Sequence, residues 1–135
     1  MKGSYLLLIK LNDDRYIKYG IRKNYFFKKG FYIYVGSALN NLEKRMERHL
    51  RINKKNYWHI DFLLNFGNIT NIFYRESDFK EECFIANLLK EIFLPISDFG
   101  SSDCKCKTHL FYGSKNKLFK FIIKNNMNEY FKQKT

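Results

Sequence analysis

Hydrophobic and polar residues alternate along the chain with two different spacings, one typical of strands and one typical of helices. Runs of β-branched and aromatic residues predict strands over Gly3–Leu11, Phe31–Val35 and Asn68–Tyr74. The run Arg15–Ile21 alternates less regularly and predicts a further strand. Because residues 12–14 have turn chemistry, we expect this strand to pair antiparallel with the first.

Helical spacing is clearest directly after the Phe31–Val35 strand. Apolar residues at positions 42, 46 and 50 form one stripe and predict a helix over Leu42–Arg51. Asn40 or Asn41 is suited to cap its first turn, because a short polar side chain can accept from the unpaired N–H groups there. Arg45 and His49 are also four residues apart and therefore share a neighbouring face of this helix.

Two later segments also have helical spacing. Tyr57–Phe66 favours a helix, although a buried strand remains an alternative for a run of this length. The spacing over Phe79–Phe93 predicts a second clear helix. Asp78 just before it and Glu81 in its first turn have capping-box spacing.

The last part of the chain is rich in lysine. A short strand is predicted over His109–Tyr112 and a helix over Lys115–Asn125, with a frayed tail after it. Residues 114–135 contain six lysines and one glutamate.

We see no repeat and no linker, so residues 1–135 form a single predicted domain. The fold class is α+β, with a small central antiparallel or mixed sheet flanked by helices.

The overall charge favours a polyanionic partner. Lysine and arginine number 25 against 13 acidic residues, which gives a net charge of +12 and places nucleic acid before an anionic membrane surface. A hydrophobic content of 45% argues against a disordered chain. A basic protein without a polyanionic partner is the alternative, and the oligomeric state stays open.

The lengths of the apolar runs bear on the cellular location of the protein. No apolar run approaches the roughly 20 residues that span a bilayer, and Met1–Lys10 is too short for a signal peptide. We therefore expect a cytoplasmic protein with no membrane partner. In that compartment its three cysteines are expected to be reduced thiols.

One set of residues fits the hydrolysis of a phosphodiester bond. That reaction needs a base for water, positive charge on the phosphate and usually a divalent cation held by a carboxylate. Arg45 suits the phosphate, His49 can relay a proton near neutral pH, and Tyr5 and Tyr34 supply hydroxyl groups. Each residue also has an ordinary interpretation, as a packed strand aromatic or as part of a solvated helix face.

A second set of candidate ligands lies near the C-terminal part. Cys104, Cys106 and His109 carry donors that suit zinc, but the C-x-C spacing is tighter than the usual zinc pattern and no fourth ligand is evident. We therefore interpret them as a loop close to the active face. Trp58 could stack on a base or anchor the core, and the sequence favours the core.

Several ordered motifs carry a resemblance to a known family. Gly-Ser-Tyr at 3–5, Tyr-Val-Gly at 34–36 and Arg-x-x-x-His at 45–49 resemble the GIY-YIG nuclease superfamily. The closer resemblance is to a small branch of archaeal and bacterial proteins, DUF123-like, and it covers nearly the whole chain. Its further motifs are Trp58-His59-Ile60-Asp61, Glu82-Cys83 with Ala86, and Ser102-Asp103-Cys104-Lys105-Cys106 with His109-Leu110.

The resemblance implies a metal-dependent DNA endonuclease in repair or recombination. Tyr5 would be the base or the group that orients water, with Tyr34 as its partner, while Arg45 would hold the scissile phosphate and His49 would assist proton transfer. Glu82 would bind one Mg²⁺ or Mn²⁺, although helical periodicity alone suits Glu81 equally well.

The resemblance also assigns a turn. It leaves open whether the two tyrosines meet, whether the chain cuts nucleic acid, and whether that nucleic acid is DNA or RNA. Gly36 would allow a tight backbone turn beneath the site. The extra strand Arg15–Ile21 lies between the two tyrosine motifs and could separate them. A non-catalytic nucleic-acid-binding module with the same fold is the alternative function, and RNA remains an alternative to DNA. The basic residues that would contact nucleic acid are Lys44, Arg48, Arg51, Lys54 and Lys55.

Overall fold

The computed structural model describes residues 1–19, 23–51, 55–56, 59–96, 99 and 108–131. Strands and helices alternate along this part of the chain. In order they are β1 (Gly3–Leu11), β2 (Arg15–Tyr19), β3 (Lys23–Phe27), β4 (Gly30–Ala38), α1 (Leu42–Leu50), α2 (His59–Leu64), β5 (Asn68–Glu76), α3 (Glu82–Lys90), β6 (Leu94–Pro95), β7 (Leu110–Tyr112), α4 (Lys115–Lys124) and β8 (Asn128–Tyr130).

Strand β1 lies at the centre of the main sheet. The six strands follow the order β6-β7-β4-β1-β5-β8, and every neighbouring pair is antiparallel. The nearly continuous apolar run of β1 is buried because both of its edges are paired and both of its faces are covered. The predicted α+β class, with an antiparallel sheet flanked by helices, is confirmed.

The two faces of the sheet carry separate hydrophobic cores. Side chains alternate across a strand, so Tyr5 and Leu7 of β1 pack on one face together with α1 and α2. Leu6 and Leu8 pack on the opposite face against α3 and α4. Helix α1 therefore approaches the sheet from one side and α3 from the other.

The predicted pairing of the second strand is wrong. Strand β2 pairs with β3, a strand that the sequence did not predict, and the two form a separate hairpin. Both edges of β1 are occupied by β4 and β5, which leaves no edge for β2. Ile17 and Phe27 of the hairpin are instead buried in the α1–α2 core. Because the hairpin leaves the main sheet, β1 and β4 remain neighbours.

Helix boundaries differ from the predicted ones where capping was invoked. Asn41 is the N-cap of α1, but it has a left-handed φ of 51° and its side chain makes no capping bond. The capping box of Asp78 and Glu81 is wrong, because α3 begins only at Glu82 and Glu81 makes no capping bond. Strand β8, which pairs with β5, occupies part of the tail that was expected to fray.

Two further expectations concern the helices, one the structure of the Tyr57–Phe66 segment and the other the length of apolar helices. The segment around His59–Leu64 is a helix, which decides against the buried-strand alternative. None of the helices that the structure describes is long and apolar enough to cross a membrane.

Candidate active site

The site is built around the crossing of Tyr5 over Gly36. The antiparallel register places Tyr5 of β1 directly opposite Gly36 of β4. A Cβ atom on Gly36 would lie 2.7 Å from Tyr5 Cε1 and closer still to Cζ and Oη. The tyrosine ring therefore lies over the glycine backbone, and the absence of a side chain there is what makes room for it. The sequence assigned Gly36 to a tight turn, whereas the structure places it within β4.

His49 links the two tyrosines. Its Nε2 atom is 2.6 Å from Tyr5 Oη, a hydrogen-bond distance. The rings of Tyr5 and His49 have centroids 5.3 Å apart, and those of Tyr34 and His49 are 6.1 Å apart. Tyr5 and His49 are each only 2% exposed. The buried stripe of α1 thus consists of Leu42, Met46 and His49, with Leu50 only partly buried.

Burial controls the acidity of Tyr5. Desolvation raises the pKa of the Tyr5 hydroxyl well above its ordinary value, and the nearby hydroxyl of Tyr34 raises it further. The guanidinium of Arg45 lowers this pKa, and the carboxylate of Glu82 raises it, so both groups lie within electrostatic reach of Tyr5. Tyr5 therefore stays protonated at neutral pH. Of the two roles that the sequence left open, this disfavours a free tyrosinate base.

Ser37 connects Arg45 with Glu82. The Arg45 guanidinium donates to the backbone carbonyl of Ser37, and the Ser37 hydroxyl donates to Glu82 Oε2 at 2.8 Å. Ser37 lies next to Gly36, so its side chain points to the opposite face of the sheet, where α3 begins. The sequence analysis did not identify Ser37 as a site residue. Only the pairing of β4 with the start of α3 reveals its role.

The structure distinguishes between Glu81 and Glu82. Arg75 donates to Glu81 Oε2, at 3.1 Å from Nε, and the Ser77 hydroxyl donates to Glu81 Oε1 at 3.0 Å. The Arg75 hydrogen bonds lower the pKa of Glu81, with a smaller contribution from Ser77 and against the opposing effect of burial. Glu81 is thus committed to holding the start of α3. Within the described residues, Glu82 accepts a hydrogen bond only from Ser37.

The donor chemistry of Glu82 fits a hard divalent cation. A carboxylate offers the oxygen ligands that Mg²⁺ and Mn²⁺ prefer, and the bond from Ser37 fixes its orientation. A single carboxylate is a small ligand set, so such an ion would keep several waters or take oxygens from a bound phosphate.

Within the Trp-His-Ile-Asp segment, Asp61 links helix α2 to helix α1. Asp61 is fully buried and accepts two hydrogen bonds from Arg48, at 3.1 and 3.0 Å. Arg48 also donates to the carbonyl of Lys55. The expected contact of Arg48 with nucleic acid stays a prediction. In the structure its guanidinium binds the buried carboxylate of Asp61. Trp58 lies outside the described residues.

Of the other predicted site residues, some are exposed, one is buried, and some lie outside the part of the chain that the structure describes. Lys44, Arg51 and Lys55 are exposed, as a contact with nucleic acid requires, while Lys54 lies outside the described residues. His109 is buried beside β7, and its backbone N–H donates to the carbonyl of Phe99. Cys104 and Cys106 lie outside the described residues, so the predicted loop chemistry remains untested.

Comparison with known protein families gives a match over most of the chain. The family model described as "Domain of unknown function DUF123" matches residues 4–132, which is nearly the entire chain and includes every residue of the site. No curated protein and no solved structure matches the chain. The chain therefore belongs to the DUF123 family, a family defined by a domain of unknown function.

Proposed function

We propose that this protein is a metal-dependent DNA endonuclease of the GIY-YIG type that acts in repair or recombination. The observation that carries the proposal is that two groups of residues meet at one end of the β1–β4 pair. Tyr5, Tyr34 and His49 contact one another there, and Ser37 of the same strand end binds both Arg45 and Glu82. The ordered sequence motifs and the net charge of +12 support the same function.

Proton transfer is assigned to the Tyr5–His49 pair. Because burial keeps Tyr5 protonated, it is a poor base by itself. Its hydroxyl can accept a proton from the attacking water while it passes its own proton to His49 Nε2, 2.6 Å away. The water oxygen then bonds to phosphorus, the ester P–O bond breaks, and the leaving oxygen takes a proton from solvent.

Arg45 and Glu82 are assigned to the phosphate. A guanidinium suits the charge that develops on phosphate oxygens, and Ser37 positions Arg45 through its carbonyl. Glu82, oriented by the Ser37 hydroxyl, would hold one Mg²⁺ or Mn²⁺. A bound divalent ion supplies charge neutralisation at the phosphate.

A second candidate function is favoured by the burial of the site. Tyr5 and His49 are almost inaccessible to solvent, which suits a chain that binds nucleic acid without cutting it. Such a module predicts binding that weakens steeply as salt rises, and no cleavage with any metal.

The test incubates the protein with duplex and branched DNA in Mg²⁺ or Mn²⁺. We expect cleavage, and we expect Arg45→Ala and Glu82→Gln each to lower its rate by about 100-fold or more. Two variants serve as controls. Glu81→Gln changes the neighbouring carboxylate, which is committed to Arg75. Lys120→Gln removes a positive charge from α4, beside the C-terminal end of α3 and away from Glu82.

The outcomes separate the hypotheses. Cleavage that persists in Arg45→Ala and Glu82→Gln refutes the assignment of the site. Salt-sensitive binding without cleavage by the wild type supports the non-catalytic module instead. A loss of cleavage in Lys120→Gln equal to that in Arg45→Ala would show that net charge, and not the site, explains the effect.

A further inference from the structure

Two loops leave the main sheet at the same end. Gly3 of β1 pairs with Ala38 of β4 on one side and with Glu76 of β5 on the other. The loop after β4 and the loop after β5 therefore begin about 10 Å apart, two strand spacings across β1. Backbone bonds tie both to the start of the chain, from Leu42 to Met1 at 2.9 Å and from Ser77 to Lys2 at 3.0 Å.

Each loop presents a large apolar side chain to solvent. Leu39 is 46% exposed and Phe79 is 76% exposed. The backbone around Phe79 is nevertheless fixed, because its N–H donates to the Ser77 hydroxyl, which in turn donates to Glu81. The phenylalanine is thus held in an ordered loop while its ring contributes nothing to either core.

This end of the sheet is also the end that carries the candidate active site. Tyr5 and Ser37 lie two positions and one position inside the Gly3–Ala38 pair, and Glu82 begins the helix that follows the Phe79 loop. The Phe79 loop therefore leads directly into the helix turn that carries Glu82, one of the two residues assigned to the phosphate.

The charges around Phe79 indicate which part of DNA it would meet. Lys80 is exposed beside it, but so are the carboxylates of Glu76 and Asp78. Two carboxylates disfavour a run of phosphates at this loop, whereas an uncharged base can stack on an aromatic ring. In an intact duplex the base faces are already stacked on one another, so only an unpaired base offers a free face.

We propose that Phe79, with Leu39 on the neighbouring loop, forms a stacking platform for an unpaired DNA base next to the scissile phosphate. The inference rests on the proposed nuclease function and deepens it. It assigns the preferred substrate as DNA with an unpaired segment, such as a flap, and not as continuous duplex.

The test measures binding by fluorescence anisotropy in EDTA, so that no cleavage occurs. The probes are a labelled duplex and a DNA of the same length with a single-stranded flap. We expect the wild type to prefer the flap DNA, and Phe79→Ala to weaken flap binding by about 10-fold, with less than twofold change for the duplex. Phe79→Trp should restore flap binding, because it keeps an aromatic face.

The matched control is Tyr16→Ala. Tyr16 is similarly exposed but belongs to the β2–β3 hairpin, which follows the opposite end of β1. Tyr16→Ala should leave the affinities for flap DNA and for duplex DNA unchanged. Thermal unfolding of Phe79→Ala should match the wild type, since the ring lies outside both cores.

Each outcome bears on a stated hypothesis. If Phe79→Ala leaves flap binding unchanged, or weakens flap and duplex binding equally, the stacking platform is refuted while the nuclease proposal stands. If the wild type binds neither DNA, both proposals are refuted. If it binds both DNAs equally, the preference for unpaired bases is wrong.

Discussion

Replacing Gly36 with alanine tests the geometry on which the site depends. An added Cβ would lie 2.7 Å from Tyr5 Cε1, where an ordinary contact needs at least 3.4 Å, so the ring must move by about 0.7 Å or more. Overpacking of this kind costs about 1–3 kcal/mol. Displacing the Tyr5 hydroxyl also breaks its buried bond to His49, which costs a further 1–3 kcal/mol or so.

The expected loss is therefore about 2–6 kcal/mol in the free energy of unfolding. At about 4 °C per kcal/mol for a domain of this size, thermal unfolding followed by circular dichroism should show a midpoint roughly 8–24 °C lower. If the proposed chemistry is right, a shift of this size in a reacting group should also lower the cleavage rate by about 100-fold.

Gly67→Ala is the matched control. Its added Cβ would meet Ile9 Cγ2 at 2.8 Å, a contact between hydrocarbon groups that breaks no hydrogen bond and lies towards the other end of β1 from Tyr5. We expect a smaller fall in the midpoint and no change in cleavage. Tyr5→Phe provides a second control, because combining it with Gly36→Ala should add little further loss of activity if both act through the hydroxyl. A midpoint within about 3 °C of the wild type for Gly36→Ala would refute the placement of Tyr5 over Gly36.

Two further predictions concern buried polar groups. Arg48→Ala removes the partner of the buried Asp61 carboxylate and should lower the free energy of unfolding by about 3 kcal/mol, while Arg48→Met with Asp61→Leu should recover most of it. Urea denaturation measures both, and a loss below about 1 kcal/mol in Arg48→Ala would contradict the structural role. Because the pKa of Tyr5 is raised in the folded state, the unfolded chain loses that proton first, so stability should hold below about pH 10 and fall above it. Tyr5→Phe should reduce that fall by up to about 1.4 kcal/mol per pH unit, and an unchanged slope in the same denaturation assay would refute the assignment.

Local pattern was sufficient for most elements. The apolar run of β1 and the four-residue spacing in α1 identified a strand and a helix close to their observed bounds. The helix periodicity also placed Arg45 and His49 near each other. Where pairing over long distances decided the outcome, the sequence was insufficient. Strand β2 has a turn before it that suits a hairpin with β1, but β4 and β5 already occupy both edges of β1.

The site shows the same division. The sequence identified Tyr5, Arg45 and His49 by residue type and spacing. Periodicity left Glu81 and Glu82 as equal candidates, and the family resemblance selected Glu82. Only the fold shows that Arg75 holds Glu81 and that Ser37 holds Glu82, since these partners come from different strands.

What the sequence determined by itself is most of the longer elements, the basic character of the chain and the chemical types at the candidate site. These follow from spacing within a few residues and from composition, which need no knowledge of distant partners. The tertiary structure alone decided which residues meet across the sheet, the burial that keeps Tyr5 protonated, and the exposure of Phe79. The physical reason is that hydrogen bonds, desolvation and exposure depend on which distant segments pack together, and spacing along the chain does not record that.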